Sequence, residues 1–154
     1  VVRLDKSTND TELDFDLLPS LVGYHLRRAQ ISVFNDFVKT TSGAHISPGQ
    51  FGVITLIAAN PGLSQSALAR AMGIERSTMV AVIDALESRG LVERRASPAD
   101  RRSYALVPSS DGIVLLRQLK PLVLEHENRV AADLSREERG LLMQLLSRHT
   151  QDDV

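Results

Sequence analysis

The chain has no cysteine and no tryptophan, and aromatic residues make up only 4 % of its 154 positions. Without cysteine there can be no disulfide framework, thiol nucleophile, cysteine-based zinc site or thiol redox sensor. This usage fits a reducing compartment and sets the expectation of a cytoplasmic protein. The shortage of aromatics argues against a stacking platform for single-stranded nucleic acid. Long apolar runs are missing too. The longest are four or five residues, far short of the about 20 that a membrane-spanning helix needs. The opening Val1-Val2-Arg3-Leu4-Asp5 runs on into acidic residues, without the apolar stretch of a signal peptide. No membrane partner is expected.

The material present is ordinary for a globular domain. Hydrophobic residues make up 43 % and charged residues 24 %, which excludes a wholly disordered chain. One domain of this length buries roughly two-thirds of the surface its unfolded chain exposes. The net charge of −1 is unpromising for a nucleic-acid binder, but the charge is unevenly placed. Residues 1–16 are net −3 and residues 133–154 net −2, which leaves +4 over residues 17–132. A local basic cluster matters more for phosphate binding than the overall balance.

Periodicity and caps divide the chain. Residues 1–16 read as a flexible acidic arm. Pro19 suits a first helical turn. Leu21, Val22, Leu26, Ala29, Val33 and Phe37 then recur at helical spacing to about Thr40, and the Thr40–Gly43 cluster ends that helix. Ser47-Pro48 opens a second, mostly buried helix with Phe51, Ile54, Leu56 and Ile57, which Asn60-Pro61-Gly62 stops. Ser64 caps a short third helix carrying Leu68, Ala69 and Met72, with Gly73 placed to end it in the left-handed conformation. A fourth helix follows from about Glu75 to Arg89, with Met79, Val82, Ile83 and Leu86 inward. Leu91–Ala96, the turn cluster Ser97-Pro98-Ala99-Asp100 and Ser103–Val107 read as a short β-hairpin. Ser109 or Ser110 caps a long fifth helix that Pro121 should kink. Ser135 and Glu138 make a capping box for a last helix reaching about His149. The fold class is therefore mainly α with a small β-hairpin.

The segment from Ser64 to Gly90 has helix-turn-helix spacing: a two-turn helix, the turn at Gly73-Ile74, and a longer helix. Ala67, Ala71 and Ala81 are candidates for the small residues that let two such helices approach. The hairpin behind them carries Arg94, Arg95, Arg101 and Arg102 around its turn. Four arginines so close repel one another unless a polyanion offsets them. Together these features make a winged helix-turn-helix, in which one helix enters a major groove while the wing reaches the backbone or a minor groove. Candidate DNA contacts are Ser64 and Gln65, then Arg76, Ser77, Thr78, Val80 and Ala81 on the fourth helix, then Arg94, Arg95, Asp100, Arg101 and Arg102.

The chain resembles the multiple-antibiotic-resistance-regulator (MarR) family of bacterial transcription factors over about residues 17–148. The resemblance rests on Leu63-Ser64-Gln65-Ser66-Ala67-Leu68-Ala69, on Ser77-Thr78, on the run from Ile83 to Val92, on Asp100-Arg101-Arg102-Ser103 and on Leu134-Ser135 with Glu138. It implies a winged helix-turn-helix over 47–108 and an all-helical dimerisation region from 17–46 and 109–150. It further implies a homodimer on a pseudo-palindromic double-stranded DNA site and a small-molecule effector that weakens DNA binding. Where the family often has a polar residue and then an arginine after the Ser-Thr-hydrophobic triplet, this chain has Val80 and Ala81. Those two can touch a thymine methyl but make no hydrogen bond, which shifts specificity toward the wing and DNA shape. In the family a wing aspartate pairs with a nearby arginine, which Asp100 and Arg102 would match. The stretch Leu21–Gln30 resembles the branch controlling aromatic-acid catabolism, which implies an aromatic acid or aromatic acyl-CoA effector. Tyr24, His25, Arg27, Arg28 and Phe51 are the candidate ligand residues, offering aromatic surface to a ring and cations to a carboxylate or phosphate.

Two other classes compete. For an enzyme the chain offers little. His25, His45, His126 and His149 are scattered, Glu125-His126-Glu127 sets neighbours on different helix faces, and neither a phosphate-binding glycine fingerprint nor a nucleophile elbow is present. No catalytic residue, metal or cofactor is expected. A winged-helix module that binds protein without an effector is the second alternative, and the wing arginines argue against it.

Overall fold

The computed structural model describes residues 13–97 and 104–149. The chain divides into two compact units, residues 1–33 and residues 34–154. Helix α1 (Val22–Thr40) contributes its first half to one and its last turns to the other.

In the first unit Pro19 does not open α1 as expected. It sits in a separate 3-10 turn, Leu18–Ser20, and Leu21 is extended at φ −93° and ψ 126°. The turn closes on itself, with Leu21 N–H on Leu18 O and Ser20 Oγ on Leu17 O. The α-helix therefore starts only at Val22. Leu17, Leu18 and Leu21 are all exposed.

The second unit is built around α2 (Pro48–Ala59), whose Val53, Ile54 and Ile57 are completely buried. Full burial of one such side chain contributes about 1.5–3 kcal/mol. A capping box holds its start: Gln50 N–H donates to Ser47 Oγ and Ser47 N–H to Gln50 Oε1. The S-x-x-Q spacing of Ser47 and Gln50 is the sequence signature of that box, beside the serine cap and the proline that follows it. Helix α3 (Gln65–Met72) is capped by Ser64 Oγ on Ala67 N–H at 3.2 Å. Gly73 then turns the chain at φ 61°, ψ 34°, a region that costs glycine least. Helix α4 (Arg76–Ser88) buries Met79, Ile83 and Leu86. Ala71 and Ala81 are exposed and so cannot mediate the approach of α3 to α4. The buried small residue is Ala69, whose carbonyl also accepts Ile74 N–H.

Strands β1 (Val92–Ala96) and β2 (Tyr104–Pro108) pair antiparallel with Arg94 opposite Leu106. The turn between α2 and α3 adds a third short piece of sheet. Leu106 N–H donates to Leu63 O at 2.9 Å, and Gly62 N–H donates to Leu106 O at 2.8 Å. Helix α5 (Ser110–Val130) takes Ser109 as its cap and continues through Pro121. Its buried Gly112 passes so close to the start of the hairpin that a Cβ there would lie 2.1 Å from Leu91 O. Helix α6 (Arg136–His149) has the expected capping box between Ser135 and Glu138. No residue of α6 is buried, and Leu141, Leu142, Met143, Leu145 and Leu146 are all exposed. None of the described helices is long and apolar enough to cross a membrane.

Candidate functional site

The inward stripe of α4 fixes what its other face can offer. With Met79, Ile83 and Leu86 in the core, Arg76, Ser77, Thr78, Val80 and Ala81 are exposed together near the helix N-terminus. Backbone N–H groups and the positive end of the helix dipole lie at the same end. Ser64 is partly buried and committed as the α3 cap, with Gln65 partly buried beside it.

The wing arginines differ from one another. Arg94 does not stand free. Its guanidinium reaches Asp84 Oδ1 at 2.5 Å and also Glu87 Oε2, and its backbone N–H donates to Glu87 Oε1 at 3.2 Å. Its side chain is 18 % exposed, less than either partner. Partial burial works against its charge, but the two carboxylates outweigh that and hold its pKa above the ordinary arginine value. Arg95 is exposed and donates through both Nε and Nη2 to Glu93 Oε2. The repulsion expected among wing arginines is thus offset at these two by the chain's own carboxylates. Asp100, Arg101 and Arg102, with the expected Asp100–Arg102 pair, lie outside the described residues.

Of the candidate ligand residues, those in the first unit cluster along α1. Arg28 lies over the Tyr24 ring, 5.6 Å from its centroid, and is 3.4 Å from the Tyr24 hydroxyl. Phe15 packs tilted against the same ring at 6.4 Å. His25 is 2.8 Å from Pro19 O through Nε2 and edge-on to Tyr24, so it ties down the preceding turn. Arg27 is exposed. Phe51 belongs to the second unit, where it packs against Phe37 at 5.8 Å. That unit also holds a cavity of about 400 Å³ lined by Val38, Thr41, Ser42, His45, Ile46, Ser47 and Gln50. No periodicity or motif singles out this set, because it comes from a loop and two helix ends.

Two other arrangements were not legible as sites in the sequence. Buried His126 donates through Nδ1 to Asp36 Oδ2 at 2.7 Å and meets the Phe37 ring edge-on. Arg129 joins the same carboxylate at 3.0 Å and Thr40 Oγ1 at 2.5 Å. The hydrogen bond from His126, followed by that from Arg129, holds the Asp36 carboxyl below the ordinary carboxylate range. The pair is 90 residues apart, and only the fold joins it. Arg89, at the end of α4, donates to the carbonyls of Ala44 and His45 at 2.7 and 2.8 Å. Among the described residues no group of His, Asp and Glu converges as a metal site would require.

The sequence pattern of the MarR family matches residues 46–104, from two residues before α2 to the first residue of β2. A protein named for regulating transcription of the hcr operon in Thauera aromatica is 44 % identical over 133 residues, 86 % of this chain and 80 % of that one. The chain belongs to the MarR family. The transcriptional repressor CouR, solved bound to a 23-mer DNA duplex, is 41 % identical with a TM-score of 0.85, covering 92 % of this chain and all of that one. CouR solved with p-coumaroyl-CoA gives 38 % identity and a TM-score of 0.84 over 91 % of this chain and 99 % of that one. The winged helix-turn-helix expected from the sequence is the MarR fold, and the family and these relatives are transcriptional regulators.

Proposed function

We propose that this MarR-family chain is a ligand-responsive repressor that binds pseudo-palindromic double-stranded DNA as a homodimer. A small aromatic acid or its CoA thioester releases it. The observation that carries this reading is the likeness, over nine-tenths of the chain, to a repressor solved both on DNA and with p-coumaroyl-CoA. The physical features agree. The exposed face of α4 is the reading surface, with Arg76, Ser77 and Thr78 making polar contacts and Val80 and Ala81 apolar ones. Arg101 and Arg102 supply the backbone or minor-groove contact, and Asp100 is the partner carboxylate for a nearby wing arginine. Residues 47–108 form the DNA-binding domain, residues 17–46 and 109–150 the dimerisation helices, and residues 1–16 an arm. The bare leucines of α6 require a partner surface. Tyr24 and Arg28 present a ring and a cation suited to an aromatic anion. The chain acts in the cytoplasm and has no catalytic role.

Selection of bound sequences from random duplexes tests the reading. It should recover two half-sites about 10 bp apart, centre to centre. Binding to the selected duplex should fall steeply with salt and fall again on adding p-coumaroyl-CoA or one of a panel of aromatic acids and thioesters. Arg28→Ala should keep DNA affinity within a few-fold and blunt the ligand response about tenfold, or about 1.4 kcal/mol of coupling. Recovery of no sequence, with salt-insensitive association to protein partners only, would reverse the reading.

A further inference from the structure

Arg94 occupies an unusual place in the hairpin. Its cross-strand neighbour Leu106 spends both backbone hydrogen bonds on Leu63 and Gly62, on the far side of β2. Arg94 and Leu106 are therefore a pair without mutual hydrogen bonds, and the Arg94 N–H points away from β2. An outward N–H on an edge strand ordinarily faces water. Here Glu87 of α4 takes it with one carboxylate oxygen and takes the guanidinium with the other. Asp84, one helical turn earlier on the same face, holds the second guanidinium nitrogen. The three side chains carry two negative charges against one positive. A phosphate seeking Arg94 would have to break two charge-assisted hydrogen bonds and approach two carboxylates.

We propose that Arg94 is a positioning residue, which locks the wing to the recognition helix through Glu87 and Asp84, and is not a contact to the DNA backbone. The inference rests on the DNA-binding reading above. It adds that the spacing between the α4 reading face and the wing is set by this three-residue brace. Glu87 acts as a one-residue substitute for a neighbouring strand, so the outer edge of β1 is fixed to the helix that lies in the groove.

The test uses the full chain and the duplex recovered by selection with the unaltered protein. Glu87→Gln removes a negative charge, and the two roles for Arg94 predict opposite signs. Under the brace, Glu87→Gln weakens binding to the selected duplex about tenfold, a loss comparable to that from Arg94→Ala. Arg94→Lys fails to rescue, because one ammonium cannot span two carboxylates. The slope of log affinity on log salt stays unchanged in Arg94→Ala. Under a phosphate contact, Glu87→Gln binds more tightly, Arg94→Lys recovers most of the affinity, and Arg94→Ala lowers the slope by about 0.9. That result overturns the proposal. Should Arg94→Ala fold poorly, Glu87→Gln alone still decides the sign. Hydrogen exchange on the free protein provides an arm independent of DNA. Glu87→Ala, which removes the acceptor oxygen itself, should speed exchange at the Arg94 amide while the core amides of α2 keep their protection. Unchanged exchange at Arg94 refutes the brace, whereas failure of the unaltered chain to bind any duplex refutes only the reading beneath it.

Discussion

Replacing Gly112 by alanine tests how tightly α5 is seated on the hairpin. The new Cβ would lie 2.1 Å from Leu91 O, 3.1 Å from Leu91 C and 3.3 Å from Ile54 Cδ1. The first neighbour is backbone, so it cannot swing aside, and helix and strand must part by more than an ångström. The same carbonyl accepts Ser109 N–H at 3.1 Å, while Ser109 Oγ donates to Gly90 O at 2.6 Å and caps Gly112 N–H at 3.0 Å. Overpacking costs about 1–3 kcal/mol. Two stretched hydrogen bonds add about 1 kcal/mol each. Alanine returns up to about 1 kcal/mol of helix propensity. The net loss is about 2–4 kcal/mol, a large share of the roughly 5–15 kcal/mol that holds a domain together. Melting should fall by roughly 5–15 °C, measured by circular dichroism at one fixed protein concentration. Gly49→Ala is the control, since its Cβ would meet only Ser47 Oγ at 3.9 Å. If Gly112→Ala melts within a degree or two of the control, the close seating of α5 on Leu91 is wrong.

Three further outcomes are expected. Thr55 Oγ1 is buried in α2 and meets no hydrogen-bond partner among the described residues, so Thr55→Val should raise stability by about 1 kcal/mol; a lower urea midpoint would show that the hydroxyl is satisfied. Asp36 has its carboxyl pKa depressed below 3.8 by His126 and Arg129, so its stabilising effect is complete above that pH and lost as pH falls through the lower folded value. Asp36→Asn should therefore destabilise the chain at neutral pH and flatten the acid limb of a midpoint-against-pH curve; an unchanged acid limb would contradict this. Leu142→Glu with Leu145→Glu puts charge on the bare face of α6 and should convert a dimer mass to a monomer mass in light scattering at micromolar concentration; persistence of the dimer mass would place the interface elsewhere.

The helices were legible because their signals are local. Ser64, Ser109 and Ser135 each cap the helix expected of them, and Gly73 adopts the left-handed turn its position predicts. The displaced start of α1 was not legible, because proline serves equally in a 3-10 turn and in the first turn of an α-helix. On the candidate site, the outward face of α4 followed from its inward stripe. The state of Arg94 did not, because a count of wing cations carries no information on which carboxylates fold beside them. Asp84 and Glu87 belong to a helix and Arg94 to a strand, ten and seven residues on, and only the sharp return at Gly90 brings them together. The His126–Asp36 pair was out of reach for the same reason at longer range. Each residue alone reads as ordinary surface on an amphipathic helix.

The last helix has a consequence for the life of the protein in a cell. A segment of 14 residues with no buried side chain has little of the tertiary support on which short helices depend. In an unpaired copy α6 is the part most ready to unwind, and its exposed leucines then become an unstructured apolar tail. Unfolded segments are what chaperones and proteases triage in cells. An unpaired copy should therefore be cleaved in α6 sooner than a paired one, as limited proteolysis across a dilution series would show.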